Sequence, residues 1–363
     1  MSFQFRVRSA KRSDLSAIYQ LAERFNTLNL PANQRRLEAL IDEHERSLLM
    51  NVTEPERGNG PDPLPPQRRL LFVLESTEPE ERVCGVSMLI AVHGTRERPA
   101  IYFELREHQT YSTVLEQHFR HQMLQLVFDY EGPTELGALV VDPTLRGHPA
   151  RPGRALSYSR LAFIASTPSW FRPQLVAELL PPFDEAGGSP LWENLGARFT
   201  GIDYERADKL SSEHIHFVQA LFPHTPIPTA LLPESVRAQL GQVGQGSKPA
   251  ARLLEAAGFR FDGTIDPFDG GPTLRVRRED SPAFKAWRSG PYLGTLRVSA
   301  HQNIGYLCRF RRGEAPENLP FVLVIGSYEV RDDGIALDEN TARSLMIGPR
   351  EEVGVLPLPP WGL

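Results

Sequence analysis

The sequence has few cysteines, no long apolar run and no excess of positive charge. Its two cysteines, Cys84 and Cys308, lie far apart in apolar segments of a 363-residue chain, so two buried reduced thiols are expected rather than a disulfide framework. No run approaches the roughly 20 apolar residues that span a membrane, and the charged N-terminus lacks a signal-peptide core. We therefore expect a cytoplasmic protein with no membrane partner.

The charge balance is slightly acidic. Asp and Glu number 45 against 40 Lys and Arg, for a net charge of −5, which argues against a general nucleic-acid binder but permits a local basic pocket. Apolar residues make up 40% and charged residues 23% of the chain, as in ordinary globular proteins. The length exceeds that of one typical domain and predicts two or three units.

The most informative stretch runs from Glu135 to Arg160. It reads as a buried strand, 135–141, then a turn rich in glycine and arginine, then an apolar helix, 155–165. A strand that enters a helix through such a turn directs free backbone N–H groups at one point, which suits an anion and above all a phosphate. The candidate phosphate ligands are Arg146, Gly147, Gly153 and Arg154, because arginine gives charge-assisted bonds to phosphate and glycine allows close backbone approach.

The order of elements predicts an α+β fold. A first strand and two helices are followed by a strand pair at 69–75 and 83–92, the central strand, the phosphate turn and its helix, and a strand at 174–179. This order resembles the Gcn5-related N-acyltransferase (GNAT) fold, a mixed sheet with flanking helices. The runs after residue 286 predict a small β-rich C-terminal domain. The predicted domains are 1–203, 204–278 and 286–363.

A residue pattern that occurs twice in the chain predicts that a helix–strand unit, which closes the fold, is duplicated. The alternative is a chance match. Six residues recur at one constant offset, each time in a pattern of a short helix that ends at a glycine and enters a strand. The pairs are Leu191 and Leu253, Glu193 and Glu255, Gly196 and Gly258, Arg198 and Arg260, Phe199 and Phe261, and Gly201 and Gly263. In this interpretation the first copy ends in a strand at 199–203.

The histidines near residue 113–126 are the only candidate metal ligands. This segment is ambiguous between helix and strand, and His118 and His121 would share a helical face. No third ligand is evident beside them or near His108. We therefore expect exposed polar histidines and no metal site.

Pieces spread over residues 3 to 276 resemble one family closely. They include Leu30-Pro31-Ala32-Asn33, Phe72-Val73-Leu74-Glu75, Glu135-Leu136, Asp142-Pro143, Ala177-Glu178, Gly241-Gln242-Val243, Gly258-Phe259-Arg260 and Phe268-Asp269-Gly270-Gly271-Pro272-Thr273-Leu274. The chain is similar in these pieces to the arginine N-succinyltransferases of bacterial arginine catabolism, which include the arginine/ornithine succinyltransferase subunits. The C-terminal part is similar only in its β-rich character.

The resemblance implies a CoA-dependent N-acyltransferase. It implies succinyl-CoA, or another acyl-CoA, as donor and the amino group of arginine or a related amine as acceptor. It implies that Leu139, on the central strand, binds the donor, which it would do through its backbone. It further implies an oligomer with its own or a paralogous subunit.

Three departures mark the chain as a diverged member. The family's catalytic histidine follows Gly-Gln-Val, and that position is Gly244 here. The family's Glu-Met-Arg-Gly is 178–181 here, without the arginine, and the phosphate turn gains Pro149 and Pro152, each without an N–H. Glu178, at a strand end, is the candidate replacement base. The alternative is a catalytically inactive paralogous subunit or a regulatory protein that binds CoA or an amino acid.

Overall fold

The structure is a computed structural model, and it describes residues 5–25, 30–50, 68–78, 80–184, 187–296 and 303–361. The strands of the described residues form one sheet. They are β1 (Phe5–Ser9), β2 (Arg69–Ser76), β3 (Arg82–Ile90), β4 (Ala100–Ser112), β5 (Gln117–Asp129), β6 (Thr134–Val141), β7 (Gln174–Glu178), β8 (Ile227–Pro228), β9 (Arg260–Ile265), β10 (Pro272–Arg277), β11 (Arg288–Thr295), β12 (Asn303–Phe310), β13 (Phe321–Arg331), β14 (Gly334–Leu337) and β15 (Glu352–Pro357).

Helices cover both faces of this sheet, which makes the fold mixed α+β as predicted. They are α1 (Leu15–Phe25), α2 (Gln34–Leu49), α3 (Pro152–Ser166), α4 (Ala197–Thr200), α5 (Tyr204–His214), α6 (His216–Leu221), α7 (Glu234–Arg237), α8 (Lys248–Ala256), α9 (Pro282–Ala286) and α10 (Glu339–Leu345). A π-helical turn, Trp192–Gly196, precedes α4. None of the helices in the described ranges has the length and apolar character that a membrane crossing needs.

The sheet order places β6 and β7 at its centre. The order from β1 onward is β1-β2-β3-β6-β7-β10-β9-β4-β5-β8. Strands β9 and β10 therefore enter between β7 and β4, although they come much later in the chain. The last five strands, β11 to β15, join the rest of the sheet through the pairing of β13 with β1. These five strands form a closed ring, because β13 also pairs with β12. The domain boundaries drawn from the sequence stay a prediction.

The two faces of the central strands differ in polarity. Leu136, Leu175, Ala177 and Leu274 pack with α3 in one apolar core. The residues between them point to the opposite face, because side chains alternate along a strand. That opposite face carries the polar residues of β6, β7 and β10 and lies beside the core that α1 and α2 form.

A buried ion network ties β1 and β2 to the turn before α1. The Arg8 guanidinium donates to Asp14 Oδ2 and Oδ1 at 2.7 and 2.9 Å and to Glu75 Oε1 at 2.7 Å. All three side chains are at most 6% exposed. Burial alone would raise the pKa of Glu75, but Arg8 overrides it and the pKa is lowered.

Several local predictions are confirmed. Arg69–Ser76 and Arg82–Ile90 pair as an antiparallel hairpin, and the Asn33 side chain caps α2 by accepting from the Arg36 N–H at 3.0 Å. Both cysteines are buried free thiols. Apolar surroundings raise the pKa of Cys84 to about 11 and that of Cys308 to about 12.

The ambiguous segment around residue 113–126 is a strand, not a helix. It belongs to a hairpin of β4 and β5 that pairs without interruption from Ala100 and Asp129 to Ser112 and Gln117. His108 and His118 are exposed and His121 is half-buried. Apolar and polar residues alternate here with the period of a strand, and the three histidines lie along this ribbon.

The residue pattern shared by 191–201 and 253–263 is not a structural repeat. Gly258 has a left-handed φ of +94° and ends α8 before β9, as predicted. Gly196 is helical, with φ of −59°, and the chain continues through it into α4 and turns at Gly201. The predicted strand at 199–203 is therefore wrong. A Cβ on Gly196 would lie 2.3 Å from the Trp192 ring, so this glycine serves close packing rather than helix termination.

Candidate active site

A β-bulge interrupts the central strand β6. Val86 pairs with Val140 and Met88 with Gly137, so two residues, Ala138 and Leu139, oppose the single residue between 86 and 88. Ala138 has a φ of +43°, a conformation that non-glycine residues seldom adopt. A bulge removes its extra residue from the hydrogen-bond ladder and bends the strand. The bulge therefore places Ala138 and Leu139 where the regular pairing of β6 with β3 is interrupted.

A buried arginine on α3 supports the bulge from below. Arg160 is 2% exposed, and its Nη1 donates to the Gly137 carbonyl at 3.2 Å. Its Nε and Nη2 donate to the carbonyl and hydroxyl of Ser157 at 3.2 and 3.1 Å. Burial lowers the pKa of Arg160 to about 10, although nearby Glu135 opposes the shift. These bonds fix the carbonyl next to the bulge.

Strands β6 and β7 separate just before the bulge. They are parallel and pair only at Thr134 with Leu175 and at Glu135 with Val176. In a parallel pair, positions equally far along the two strands lie level with each other. Two residues beyond the pair of Glu135 with Val176, Glu178 therefore lies level with Gly137, next to the bulge. Beyond these two pairs the ladder between β6 and β7 has a gap in its pairing, with Leu139 of β6 and Glu178 of β7 on its two sides.

The predicted phosphate turn follows β6 directly. Asp142 accepts the Thr144 N–H at 2.9 Å and begins a short 3₁₀ turn, Pro143–Leu145. Gly147 has a left-handed φ of +75°, and α3 begins at Pro152. Proline at the first position of a helix costs no hydrogen bond, so Pro152 does not weaken the helix N-terminus. Gly153 is second in the helix, where an N–H has no partner within the helix.

The four predicted phosphate ligands lie together in this turn. Arg146 and Gly147 are exposed, and Gly153 and Arg154 are half-buried at the start of α3. Leu139 is half-buried two residues before the end of β6. Glu178 does not belong to this group, because it lies across the gap from Leu139. The sequence candidates thus divide into a turn at one end of β6 and a carboxylate beside the bulge.

A histidine that the sequence did not single out, His93, faces Glu178. It follows β3 and donates its backbone N–H to the Pro133 carbonyl at 2.7 Å. The segment is confined by two glycines. A Cβ on Gly132 would lie 1.8 Å from the His93 carbonyl, and Gly94 needs a φ of +102°. These contacts hold the imidazole over the start of β6.

Two carboxylates flank the His93 ring. Nδ1 lies 2.7 Å from Glu135 Oε2, and Nε2 lies 3.6 Å from Glu178 Oε1. Burial alone would lower the pKa of His93, but the charge and hydrogen bond of Glu135 raise it to about 9. Burial and the like charge of Glu135 raise the pKa of Glu178, while His93 opposes that rise. Strongly shifted groups in a cleft are typical of functional sites.

Two further polar side chains point to this cluster without a partner. Thr273 pairs with Glu178 across β10 and β7, is fully buried, and its hydroxyl makes no hydrogen bond to the described residues. The Tyr102 hydroxyl, 2% exposed, also lacks one there. Arg275 stacks over the Tyr102 ring at 4.8 Å and contacts Asp262 at 2.5 Å. Unsatisfied buried hydroxyls beside an accessible carboxylate indicate a ligand site.

An acidic loop borders the same face. Asp266 Oδ1 accepts the N–H groups of Phe268 and Asp269 at 2.7 and 3.0 Å, and Asp269 Oδ1 accepts that of Gly271 at 2.7 Å. Burial, and then the like charges of neighbouring carboxylates, raise the pKa of Asp269. Burial also raises the pKa of Asp266. A cationic ligand would relieve this repulsion.

The position of the missing histidine has no room for a side chain. Gly244 donates its N–H to the Leu180 carbonyl at 2.9 Å. A Cβ at Gly244 would lie 2.4 Å from the Pro181 carbonyl oxygen and 3.0 Å from that of Leu180. The two segments that differ from the family pattern, 178–181 and Gly244, are therefore in contact. The backbone of Leu180 and Pro181 occupies the space that a side chain at 244 would need.

Substitution of Gly244 by alanine is expected to destabilise the protein. The added Cβ meets backbone rather than a flexible side chain, and overpacking of this kind costs about 1–3 kcal/mol. Urea unfolding measures the loss. Gly246→Ala is the matched control, because a Cβ there has nothing within 4 Å. Equal unfolding midpoints for the two variants would contradict the contact.

The site shows no metal-ligand set. Within the described part of the chain, no three of His, Cys, Asp and Glu come together to hold a metal ion. The two carboxylates lie against opposite ring nitrogens of His93, so they do not converge on one point. The residues present instead suit hydrogen bonding and proton transfer to an organic ligand.

Sequence reasoning missed His93, Glu135, Thr273 and Arg275. Glu135 had a signal, because it is the polar first residue of the predicted strand 135–141, whereas Thr273 and Arg275 lie in β10, where no strand was predicted. His93 had only a weaker signal, its place directly after the run 83–92. Its contact with Glu135 depends on the register of β3 against β6, in which Ile90 pairs with Glu135.

The chain is similar to known proteins over most of its length. The family model described as arginine N-succinyltransferase beta subunit (AstA) matches residues 5–282. Arginine N-succinyltransferase of Yersinia enterocolitica is 34% identical over 77% of this chain and 78% of its own length. That of Shigella dysenteriae is 34% identical over 74% of each.

A solved structure extends the similarity to the C-terminal strands. Arginine/ornithine succinyltransferase subunit AI from Pseudomonas aeruginosa superposes with a TM-score of 0.78 and 26% identity, and the match covers 98% of this chain and 99% of that one. The strands after residue 286, which resemble the family only in character by sequence, thus have counterparts in three dimensions. Since the family model covers most of the chain and the fold agrees over nearly all of it, this chain belongs to the arginine N-succinyltransferase family.

Proposed function

We propose that the protein transfers a succinyl or related acyl group from CoA to the amino group of arginine or a related basic amine. The observation that carries this proposal is the gap in the pairing of β6 with β7, with the bulged backbone at Leu139 on one side and Glu178 on the other. A thioester in this gap would have its carbonyl at the bulge and its reacting carbon within reach of a carboxylate.

The donor would enter from the phosphate turn. The N-terminus of α3, with Gly153 second in the helix and Arg154 beside it, offers N–H groups and positive charge to the pyrophosphate of CoA. Arg146 and Gly147 would contact it from the turn. The pantetheine arm would then follow β6 to Leu139, whose N–H polarises the thioester carbonyl in the manner of an oxyanion-hole donor.

Replacement of Arg154 by glutamine is expected to weaken CoA binding. A hydrogen bond to a charged group contributes about 1.5–3 kcal/mol, which is roughly a ten- to hundredfold rise in Kd. Isothermal titration with CoA measures it, and Arg252→Gln on the exposed face of α8 is the control. An unchanged Kd for Arg154→Gln would contradict its place at the phosphate.

The acceptor would bind on the polar face of β7 and β10. Asp266, Asp269 and Glu178 suit a cationic substrate, and Arg275 suits its carboxylate. In the reaction Glu178 takes a proton from the substrate ammonium, and the free amine attacks the thioester carbon. The C–N bond forms, the C–S bond breaks, and the thiolate leaves as CoA-SH with a proton from the amine nitrogen.

Release of free thiol tests the proposal. Purified protein is mixed with succinyl-CoA or acetyl-CoA and a panel of arginine, ornithine, lysine and neutral amino acids. We expect thiol release with a basic amino acid, and a mass increase of that amino acid by one acyl group. No release with any pair would refute the proposal.

The alternative, a non-catalytic subunit, is motivated by Gly244. It predicts that the protein binds CoA but releases no thiol unless a paralogous chain is added. Glu178 in the gap and the unpartnered hydroxyls around it favour the enzyme. Turnover by the isolated chain decides between the two.

A further inference from the structure

We infer that His93 is the positioning residue of this active site, held by Glu135 and acting on Glu178 in place of the histidine that Gly244 cannot supply. The inference rests on the proposed function, in which Glu178 accepts the proton of the substrate amine. It adds that a different histidine, from a different segment of the chain, has taken over part of the proton-transfer machinery.

Three residues act in sequence here. Glu135 is the carboxylate that orients the ring, His93 supplies the imidazole, and Glu178 is the proposed proton acceptor. Glu135 is 2% exposed in its side chain, whereas His93 and Glu178 are 24% and 27% exposed. The inner carboxylate is therefore closed to substrate, and the outer one is open to it. Glu135 fixes the ring through Nδ1 at 2.7 Å, and this leaves Nε2 directed at Glu178.

The distance of 3.6 Å from Nε2 to Glu178 suits an electrostatic role. It exceeds a hydrogen bond but lies within the range in which an opposite charge shifts a carboxyl pKa by about 1–3 units. A protonated ring favours the ionised form of Glu178, which is the form that accepts a proton. Without it, burial and the charge of Glu135 would raise the pKa of Glu178 still further and lower its ionised fraction at neutral pH.

Among the described residues, the side chains that face His93 include no second histidine. The side chains that face His93 are Glu135 of β6, Glu178 of β7, Tyr102 of β4, Arg275 of β10 and Asp266 of the loop before β10. Gly94 and Gly132 hold its backbone. The family position at 244 is closed by the Pro181 carbonyl.

The pH dependence of the variant His93→Gln tests the inference. We expect the acid limb of kcat/KM to move to higher pH, because Glu178 loses its stabilising cation. A shift of about 1–3 units lowers the ionised fraction, and with it kcat/KM, roughly 10- to 1000-fold at neutral pH. Activity should recover towards the wild-type value at alkaline pH. A merely structural histidine would lower activity at every pH.

Chemical rescue and a control variant sharpen the test. Imidazole in the buffer should restore part of the neutral-pH activity to His93→Ala, because an imidazolium can occupy the vacated space. His118→Gln, on the exposed β4–β5 hairpin, should keep the wild-type profile. An acid limb that does not move in His93→Gln overturns the inference.

A titration that needs no turnover separates this inference from the proposed function. The His93 ring, followed by NMR and assigned with His93→Gln, should titrate near its raised pKa of about 9. The pKa should fall in Glu135→Gln and in Glu178→Gln. A ring that titrates at its ordinary value overturns the inference, whatever the activity. Absence of thiol release from wild-type protein refutes the acyltransferase instead, and the titration alone then decides the role of His93.

Discussion

Glu178→Gln is expected to lose about 10²- to 10⁴-fold in kcat, the usual contribution of a positioned proton acceptor. The amide keeps the size of the carboxylate but cannot accept a proton from the substrate ammonium. Wild-type kcat/KM should rise as the pH rises through the raised pKa of Glu178, because only the ionised form works. The variant should show no such rise.

Thiol release from succinyl-CoA as a function of pH gives both results. Glu193→Gln is the matched control, since Glu193 is an exposed carboxylate in the turn before α4. CoA binding, measured separately, should be the same in both variants, because Glu178 lies across the gap from the phosphate turn. Wild-type turnover in Glu178→Gln would remove Glu178 from the reaction.

Arg8→Ala should produce the largest loss of stability, about 3–5 kcal/mol in the free energy of unfolding. Removing one partner of a buried ion network leaves buried charge poorly compensated: Asp14 loses its guanidinium partner, and Glu75 keeps only Arg6. Their oxygens accept from Arg8 at 2.7–3.0 Å. Since β1 and β2 are paired on both sides within the sheet, the loss should reduce the stability of the whole fold.

The pH dependence of unfolding gives this prediction a second readout. The folded pKa of Glu75 is lowered, so its stabilising effect is present above its unfolded pKa and is lost as the pH falls through the folded value. Arg8→Ala should flatten this acidic loss. Arg12→Ala is the control, because Arg12 and Asp42 are 57% and 48% exposed, and such a surface pair contributes about 1 kcal/mol or less. Equal losses in the two variants would contradict the network.

The strand, turn and helix that we propose to bind the donor could be predicted because they are local in sequence. The strand 135–141, the turn and the helix from 152 follow one another, and backbone N–H groups at a helix start need no distant partner. The bulge at Ala138 was not predicted. It depends on the pairing of β6 with β3, and its signal in the sequence, a glycine followed by small and apolar residues, is common.

The group of residues proposed to bind the acceptor could not be predicted, because its members lie far apart in the sequence. His93, Glu135, Glu178 and Arg275 come from four separate segments, and only the order β3-β6-β7-β10 brings them together. A slip of one residue in any register would turn these side chains to the α3 face. That Gly244 stands in place of a catalytic histidine stays a prediction, and the sequence contained no signal that His93 would lie beside Glu178.

The late entry of β9 and β10 into the sheet has a consequence for synthesis on the ribosome. Strands β6 and β7 are complete by residue 178, but β10, which carries Thr273 and Arg275, becomes available only after residue 277 has emerged. Until then β7 is an open edge that can pair with other chains. The nascent protein therefore holds β6 and β7 for about a hundred residues of elongation before β10 can complete the proposed site, and contacts of such sequence separation fold slowly.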